Sequence, residues 1–203
     1  MSGVSLREQK KQETRLAISS VATALFKQRG FDQVTIAEVA AAARVAKMTV
    51  TNHFSRKEDL VFDIRAEFVD WPANLVRTEP TTPALRAVRD GFFAELAGKS
   101  ALLGFADRRF VQMVQHSERL MSALMDMHAE REIQLGAALL DRHPDQDMLA
   151  RASAAHLTSV LRLLLAEAWQ LTSADVDQEE IVPRIRDSAT IAFDQLEPAL
   201  GDL

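Results

Sequence analysis

Residues 35–54 read TIAEVAAAARVAKMTVTNHF, and two helices are written into them. Thr35-Ile36-Ala37-Glu38 is a capping box: the threonine hydroxyl can accept from the Glu38 backbone N–H, and the glutamate can reach back to the N–H of Thr35. Val34 and Val39 stand where a hydrophobic staple closes such a start. The pattern predicts a helix over 35–43, a tight turn at Arg44-Val45-Ala46 and a short helix over 46–53. Two short helices joined by a tight turn have helix-turn-helix geometry. The second carries Lys47, Thr49, Thr51, Asn52 and His53 and no acid. A surface helix of an acidic protein ordinarily holds some Glu or Asp. A helix that enters a DNA groove does not, because phosphate repels carboxylates.

The rest of the chain sets that stretch apart. The 203 residues carry a net charge of −5 and no cysteine. The length suits one or two domains with a real core. Disulfides, thiolate metal sites and cysteine nucleophiles are excluded. Residues 1–65 hold 11 Lys and Arg against 7 Asp and Glu, while 66–203 hold 13 against 22. A basic front on an acidic body implies that only the front meets a polyanion. No run of 18 apolar residues occurs, and residues 1–15 lack the apolar middle of a signal peptide. The expectation is a soluble cytoplasmic protein with no membrane partner.

Glycine is scarce (7), tyrosine is absent, and no strand alternation appears, so the expected fold class is all-α, with about nine helices. A first helix over 8–29 has Ile18, Val21, Ala22, Leu25 and Phe26 on one stripe and ends at Gly30. Ser55-Arg56-Lys57-Glu58 has the form of a second capping box and predicts a fourth helix from there, with Leu60, Ile64, Phe68 and Trp71 on one side. Further helices are expected over 83–97, 101–115, 118–142, 147–172 and 178–198. Pro183 either kinks the last of these or marks its true start. The expected domains are 1–55, the DNA-binding helix-turn-helix with its motif at 35–54, and 56–203, a helical ligand-binding and dimerisation bundle.

Groove chemistry assigns roles by residue type. Thr51 and Asn52 can hydrogen-bond base edges, and a threonine methyl can touch a thymine methyl. Lys47 can reach a guanine or a phosphate, and His53 offers a ring nitrogen to a phosphate. Packing against the next helix is the plain alternative for His53. Thr35 and Lys57 are expected to open helices, where free N–H groups favour phosphate.

The run FKQRGFDQVTIAEVAAAARVAKMTVTNHFSRKEDLV resembles the N-terminal DNA-binding domain of TetR-type transcriptional regulators. Matching features include Phe26, Arg29-Gly30-Phe31, Thr35-Ile36, Val45, Thr49-Val50, His53-Phe54 and Lys57-Glu58-Asp59-Leu60. The likeness covers residues 10–65 closely, and the length and helical remainder are similar to that family. It implies a homodimer that binds a palindromic operator in double-stranded DNA and represses until a small-molecule effector releases it. By position it implies Lys47, Met48, Thr51 and Asn52 as groove readers and Thr35, Thr49, His53 and Lys57 as phosphate contacts. The sequence departs at three places. Arg44 stands where glycine is frequent, at a cost of roughly 1 kcal/mol if the backbone is left-handed, offset if Arg44 meets phosphate. Ala46 replaces a capping Ser or Thr. Thr51 replaces a frequent tyrosine, which leaves its role open between base and backbone. These departures would suit the alternative reading, a helical interaction or adaptor module of the same fold without operator binding. Salt dependence separates the two.

Enzyme chemistry finds no footing. AGKS at 97–100 lacks the leading glycine of a phosphate loop, since Phe93 holds that position. No H-E-x-x-H, Glu-x-x-His or G-x-S-x-G is present, so no catalytic residue, metal site or cofactor is expected. The expected ligand is an unidentified small molecule, with Trp71, Phe110, Met121, Met125 and Trp169 as candidate lining residues, since methionine and aromatic side chains suit varied apolar ligands. The last two helices carry apolar stripes. Leu157, Val160, Leu161, Leu164, Ile185, Ala189, Ala192 and Phe193 are the candidate dimer interface, a role the resemblance supports; the alternative is that helices of the same chain cover them.

Overall fold

With so few glycines the chain has few places to bend, and the structure is helix throughout. The computed structural model describes residues 6–201. Among them are nine α-helices: α1 (Leu6–Arg29), α2 (Ile36–Ala42), α3 (Lys47–His53), α4 (Arg65–Thr78), α5 (Ala84–Ala97), α6 (Arg108–Gln115), α7 (Glu118–Arg142), α8 (Asp147–Ser173) and α9 (Gln178–Leu200). The described residues contain no strand. The all-α expectation holds.

Two compact units divide them. The first is residues 6–65 with 112–123, the end of α6 and the start of α7. Ile18, Ala22 and Phe26 of α1 form its core with Phe31, Val34, Val39, Val50, Phe54 and Leu60. Gly30 ends α1 at a φ of +88°, as expected, its N–H on the Phe26 carbonyl at 2.8 Å. The fourth helix does not start at Ser55. Residues Glu58–Leu60 form a single 3-10 turn, and α4 begins only at Arg65. Leu60, Val61 and Phe62 are all buried. An α-helix points three consecutive residues across more than half its circumference, so burying all three requires an irregular backbone. There the Asp59 carboxylate accepts the Arg56 N–H at 2.9 Å, while Asp63 accepts from the Ser19 hydroxyl at 2.6 Å.

The second unit is residues 66–111 with 124–201. Here α4 continues past Pro72. Proline has no N–H, so the Phe68 carbonyl four residues earlier loses its helical donor. Arg131 on α7 replaces it, Nε donating at 2.9 Å. Arg142, at the other end of α7, donates to the carbonyls of Val76, Glu79 and Thr82, where α4 and its following turn run out of donors.

The helix expected over 101–115 is two pieces. A 3-10 turn at Ala101–Leu103 stops at Gly104, φ +91°, and α6 restarts at Arg108 behind Asp107, which accepts the Phe110 N–H. Trp169 explains the break. Its indole N–H donates to the Gly104 carbonyl at 2.9 Å, and a Cβ on Gly104 would meet Leu165 and Trp169 within 3.0 Å. Pro183 does not start α9; the helix begins at Gln178, capped by Asp177, and continues past it.

The apolar stripes of α8 and α9 need a correction too. Leu157, Val160, Leu161, Leu164, Ile185, Ala189 and Phe193 are buried within one protomer, and Ala192 is half-buried. Phe92 and Phe93 of α5 cover Phe193 at 5.7 and 6.4 Å between rings. The chain supplies its own cover from 100 residues upstream. What α8 and α9 leave outside is Leu163, 58% exposed, and Ile191, 63% exposed. α8 is long and apolar enough to cross a membrane by composition, but half of its most apolar window is buried in the unit. Phe193→Ala should therefore lower stability by about 3–5 kcal/mol in denaturant unfolding, with the ordinary spectrum of a folded helical chain; a loss below about 1 kcal/mol would return Phe193 to the surface.

Candidate nucleic-acid interface

A helix of seven residues is too short to persist alone, so α3 depends on what grips it. Val50 is 0% exposed and Phe54, one turn on, is buried beside it. At the C-terminal end Arg15 of α1 donates to the His53 carbonyl and lays its guanidinium 4.3 Å from the Phe54 ring centroid. A cation there also favours the negative end of the helix dipole. Sequence reasoning passed over Arg15. The signal was its spacing: Arg15, Ile18, Ala22 and Phe26 lie on one stripe, and a charged residue in line with buried ones has a partner.

The opposite side of α3 faces water. Lys47, Met48, Thr51 and Asn52 are exposed, Met48 to 69%. Spacings of one and four residues gather them on one face. No acid interrupts that face. The Thr51 hydroxyl donates back to the Met48 carbonyl at 3.1 Å, within its own helix. Thr49 and His53 are half-buried; the His53 Nδ1 is buried without a hydrogen-bond partner, and its ring lies 6.4 Å from that of Phe54.

The turn before α3 is a complete Schellman motif. The Val45 N–H donates to the Ala40 carbonyl at 3.0 Å and the Arg44 N–H to that of Ala41 at 3.1 Å. Its C′ residue takes left-handed backbone, and here that residue is Arg44, φ +56°. Ala46 then begins α3 with no side-chain cap, as its methyl dictates. Both departures seen in the sequence are real features of the backbone. Arg44→Gly should raise stability by about 0.5–1 kcal/mol, read as a higher melting temperature; a fall would mean the arginine side chain holds the turn.

The capping box at α2 is fully formed. Thr35 Oγ1 accepts the Glu38 N–H at 3.2 Å, and Glu38 Oε2 accepts the Thr35 N–H and hydroxyl at 2.8 Å each. Arg29 adds an ion pair at 2.7 Å. Three donors, the backbone N–H of Thr35 first, hold the Glu38 carboxyl down to about 2. Since the folded value lies below the ordinary 4.5, the contribution is present above pH 4.5 and fades as pH falls toward about 2. Glu38→Gln should flatten the acid-unfolding curve across that window; equal acid losses in both proteins would show the carboxylate contributes nothing there.

Lys57 sits differently from its expected place. It opens no α-helix. Its Nζ donates to the Phe31 carbonyl at 2.6 Å and rests 4.3 Å over the Phe31 ring and 5.5 Å from that of Phe26. Burial holds its ammonium below the ordinary value, with Asp32 pulling it back. The sequence signal for phosphate was the position just before an acidic helix start, and that helix is absent. Ser117, at the α6–α7 junction, donates to Asp32 at 3.4 Å; nothing local in the sequence marked that contact.

The residues offered for a ligand site are scattered in kind. Trp71 and Trp169 are buried, Phe110 and Met121 half-buried and Met125 exposed. Met121 belongs to the first unit and the other four to the second. Trp169 serves Gly104, as described above.

Comparison with known proteins agrees with this geometry. Residues 18–64 match the family model for bacterial regulatory proteins of the TetR family. Over 98% of its length the chain is 27% identical to the HTH-type transcriptional regulator TcmR of Streptomyces glaucescens, covering 89% of that protein. Its fold is similar to that of a transcriptional regulator from Aquifex aeolicus VF5, with a TM-score of 0.51 at 14% identity over 88% of this chain and 98% of that one. It is also similar to NalD, the secondary repressor of the MexAB-OprM multidrug efflux pump in Pseudomonas aeruginosa, with a TM-score of 0.50 at 20% identity over 88% of this chain and 97% of that one.

Proposed function

We propose that this chain is a TetR-family DNA-binding transcriptional regulator rather than an enzyme, a cytoplasmic homodimeric repressor that a small apolar or amphipathic ligand releases from a palindromic operator. The observation that carries the reading is the acid-free exposed face of α3, held rigid by Val50, Phe54 and Arg15. Lys47, Met48, Thr51 and Asn52 read base edges in the major groove. Arg44, Thr49, His53 and the capped start of α2 at Thr35 lie against the phosphates. Lys57 contributes by bracing Phe31 rather than as a free cation. Two heads dock about one helical turn apart. Leu163 and Ile191 support a dimer face on the outer sides of α8 and α9, since large exposed apolar residues on adjoining helices favour a partner. The ligand binds one spacing of the heads better than the other and shifts the population between them. That NalD is a repressor supports the same role here.

Selection from random duplex DNA with the full chain at near-physiological salt should enrich an inverted repeat, and binding should weaken steeply with added salt. Asn52→Ala should cost about 1–3 kcal/mol on the best site and relax preference at one position. Leu163→Glu with Ile191→Glu should sediment as a monomer and lose the repeat. No enrichment, or affinity insensitive to salt, would favour the adaptor reading instead.

A further inference from the structure

Arg131 is 1% exposed and heads the fully buried side chains by volume. Part of its presence is explained by Pro72. The Phe68 carbonyl lacks a helical donor, and Arg131 Nε supplies one. The guanidinium also lies over the Phe68 ring, its carbon 3.5 Å from the centroid. Neither task needs a full positive charge, and a neutral donor would serve the carbonyl as well. Burial lowers the guanidinium to about 9, with no carboxylate raising it back, so it remains charged at neutral pH. A buried charge without a counter-ion is strongly unfavourable.

His128, three residues earlier on α7 and so on the same face, adds to the anomaly. It is buried, with its ring edge-on to Phe68 at 5.3 Å between centroids. Both its ring nitrogens and Arg131 Nη2 are buried without a hydrogen-bond partner. Burial first, then Arg131 and Arg162, hold its imidazole down to about 4, so it is neutral at physiological pH. Three nitrogen atoms and one fixed positive charge thus converge beside a single phenylalanine. Every other buried side chain of α4 and α7 is apolar.

We propose that the effector of this regulator is an anion, a mostly apolar molecule ending in one carboxylate or similar oxyanion, bound between α4 and α7 with its charged end on Arg131 Nη2 and the His128 ring. The inference rests on the ligand-released reading above and names the class of that ligand. The oxyanion supplies the missing counter-charge and accepts hydrogen bonds from Nη2 and from the protonated nitrogen of the imidazole. The other buried side chains of α4 and α7 are apolar and suit the remainder of the molecule. Cations are excluded by the same charge.

Two dyes with one skeleton isolate the charged end: 8-anilinonaphthalene-1-sulfonate and N-phenyl-1-naphthylamine. Titrated into the full-length protein, the sulfonate should bind about tenfold or more tighter than the neutral amine. Arg131→Met should abolish that preference, and Arg131→Lys should retain part of it, since charge survives while the planar fork is lost. Equal binding of the two dyes by the unaltered protein, or a preference that survives Arg131→Met, overturns the proposal. Should Arg131→Met fail to fold, competition on the unaltered protein decides: decanoate should displace the sulfonate dye at about a tenth of the decan-1-ol concentration, and equal displacement overturns the proposal. The duplex selection described above keeps the two readings apart. A dye preference without a selected duplex overturns the regulator reading alone. A selected duplex without a dye preference overturns the anionic effector alone.

Discussion

Seven residues of helix with no N-terminal cap cannot sustain themselves, and the whole first unit is arranged around that deficit. Val50 and Phe54 sink one side of α3 into a core shared by α1, α2 and the segments that follow them, and Arg15 ties the last carbonyl of α3 to α1. Together α1 and α2 are the mount for α3. Phe31 and the 3-10 turn at Glu58–Leu60 close that mount from below, with Lys57 braced against both aromatic rings. A precisely placed outer face follows from this: side chains on a short helix can be placed to within a fraction of an ångström only if the helix itself does not rock.

The second unit is governed by missing donors. Pro72 leaves a carbonyl open in the middle of α4, and the end of α4 leaves others. Two arginines of α7 answer both, Arg131 in the interior and Arg142 at the rim. Helix pairs take their register from interdigitating apolar side chains. Hydrogen bonds from side chains to specific carbonyls add directional ties that hold the register of α7 against α4.

The features legible in the sequence are those that local chemistry decides. The capping box at Thr35, the left-handed end at Gly30, the turn at Arg44 and the uncapped start at Ala46 each involve residues within five positions of one another. The errors are all long-range. Ser55 has the letters of a cap, but burial of Leu60, Val61 and Phe62 overrides them. Gly104 breaks a helix because Trp169 reaches it from 65 residues away. The α8 and α9 stripes looked like an interface, whereas the two helices pack on each other and α5 covers α9 from far upstream. Arg131 was invisible because its meaning depends on a proline on another helix.

Three helix ends adopt left-handed backbone at a residue other than glycine: Arg44, Lys99 and Asp175. Glycine would relieve the torsional strain at each, but it would also delete a side chain. Lys99 uses its side chain to reach Glu179 at the start of α9, and Asp175 uses its own to reach Arg108 at 2.9 Å on α6. In both, local strain is exchanged for a tie between distant segments. Arg44 is under the same strain, yet its exposed guanidinium has no ion-pair partner among the described residues. The exchange is left half complete within the folded chain. If the duplex supplies the other half, an Arg44–phosphate contact forms only when the turn comes within reach of the backbone, and the turn becomes a geometric check on how deeply α3 is seated.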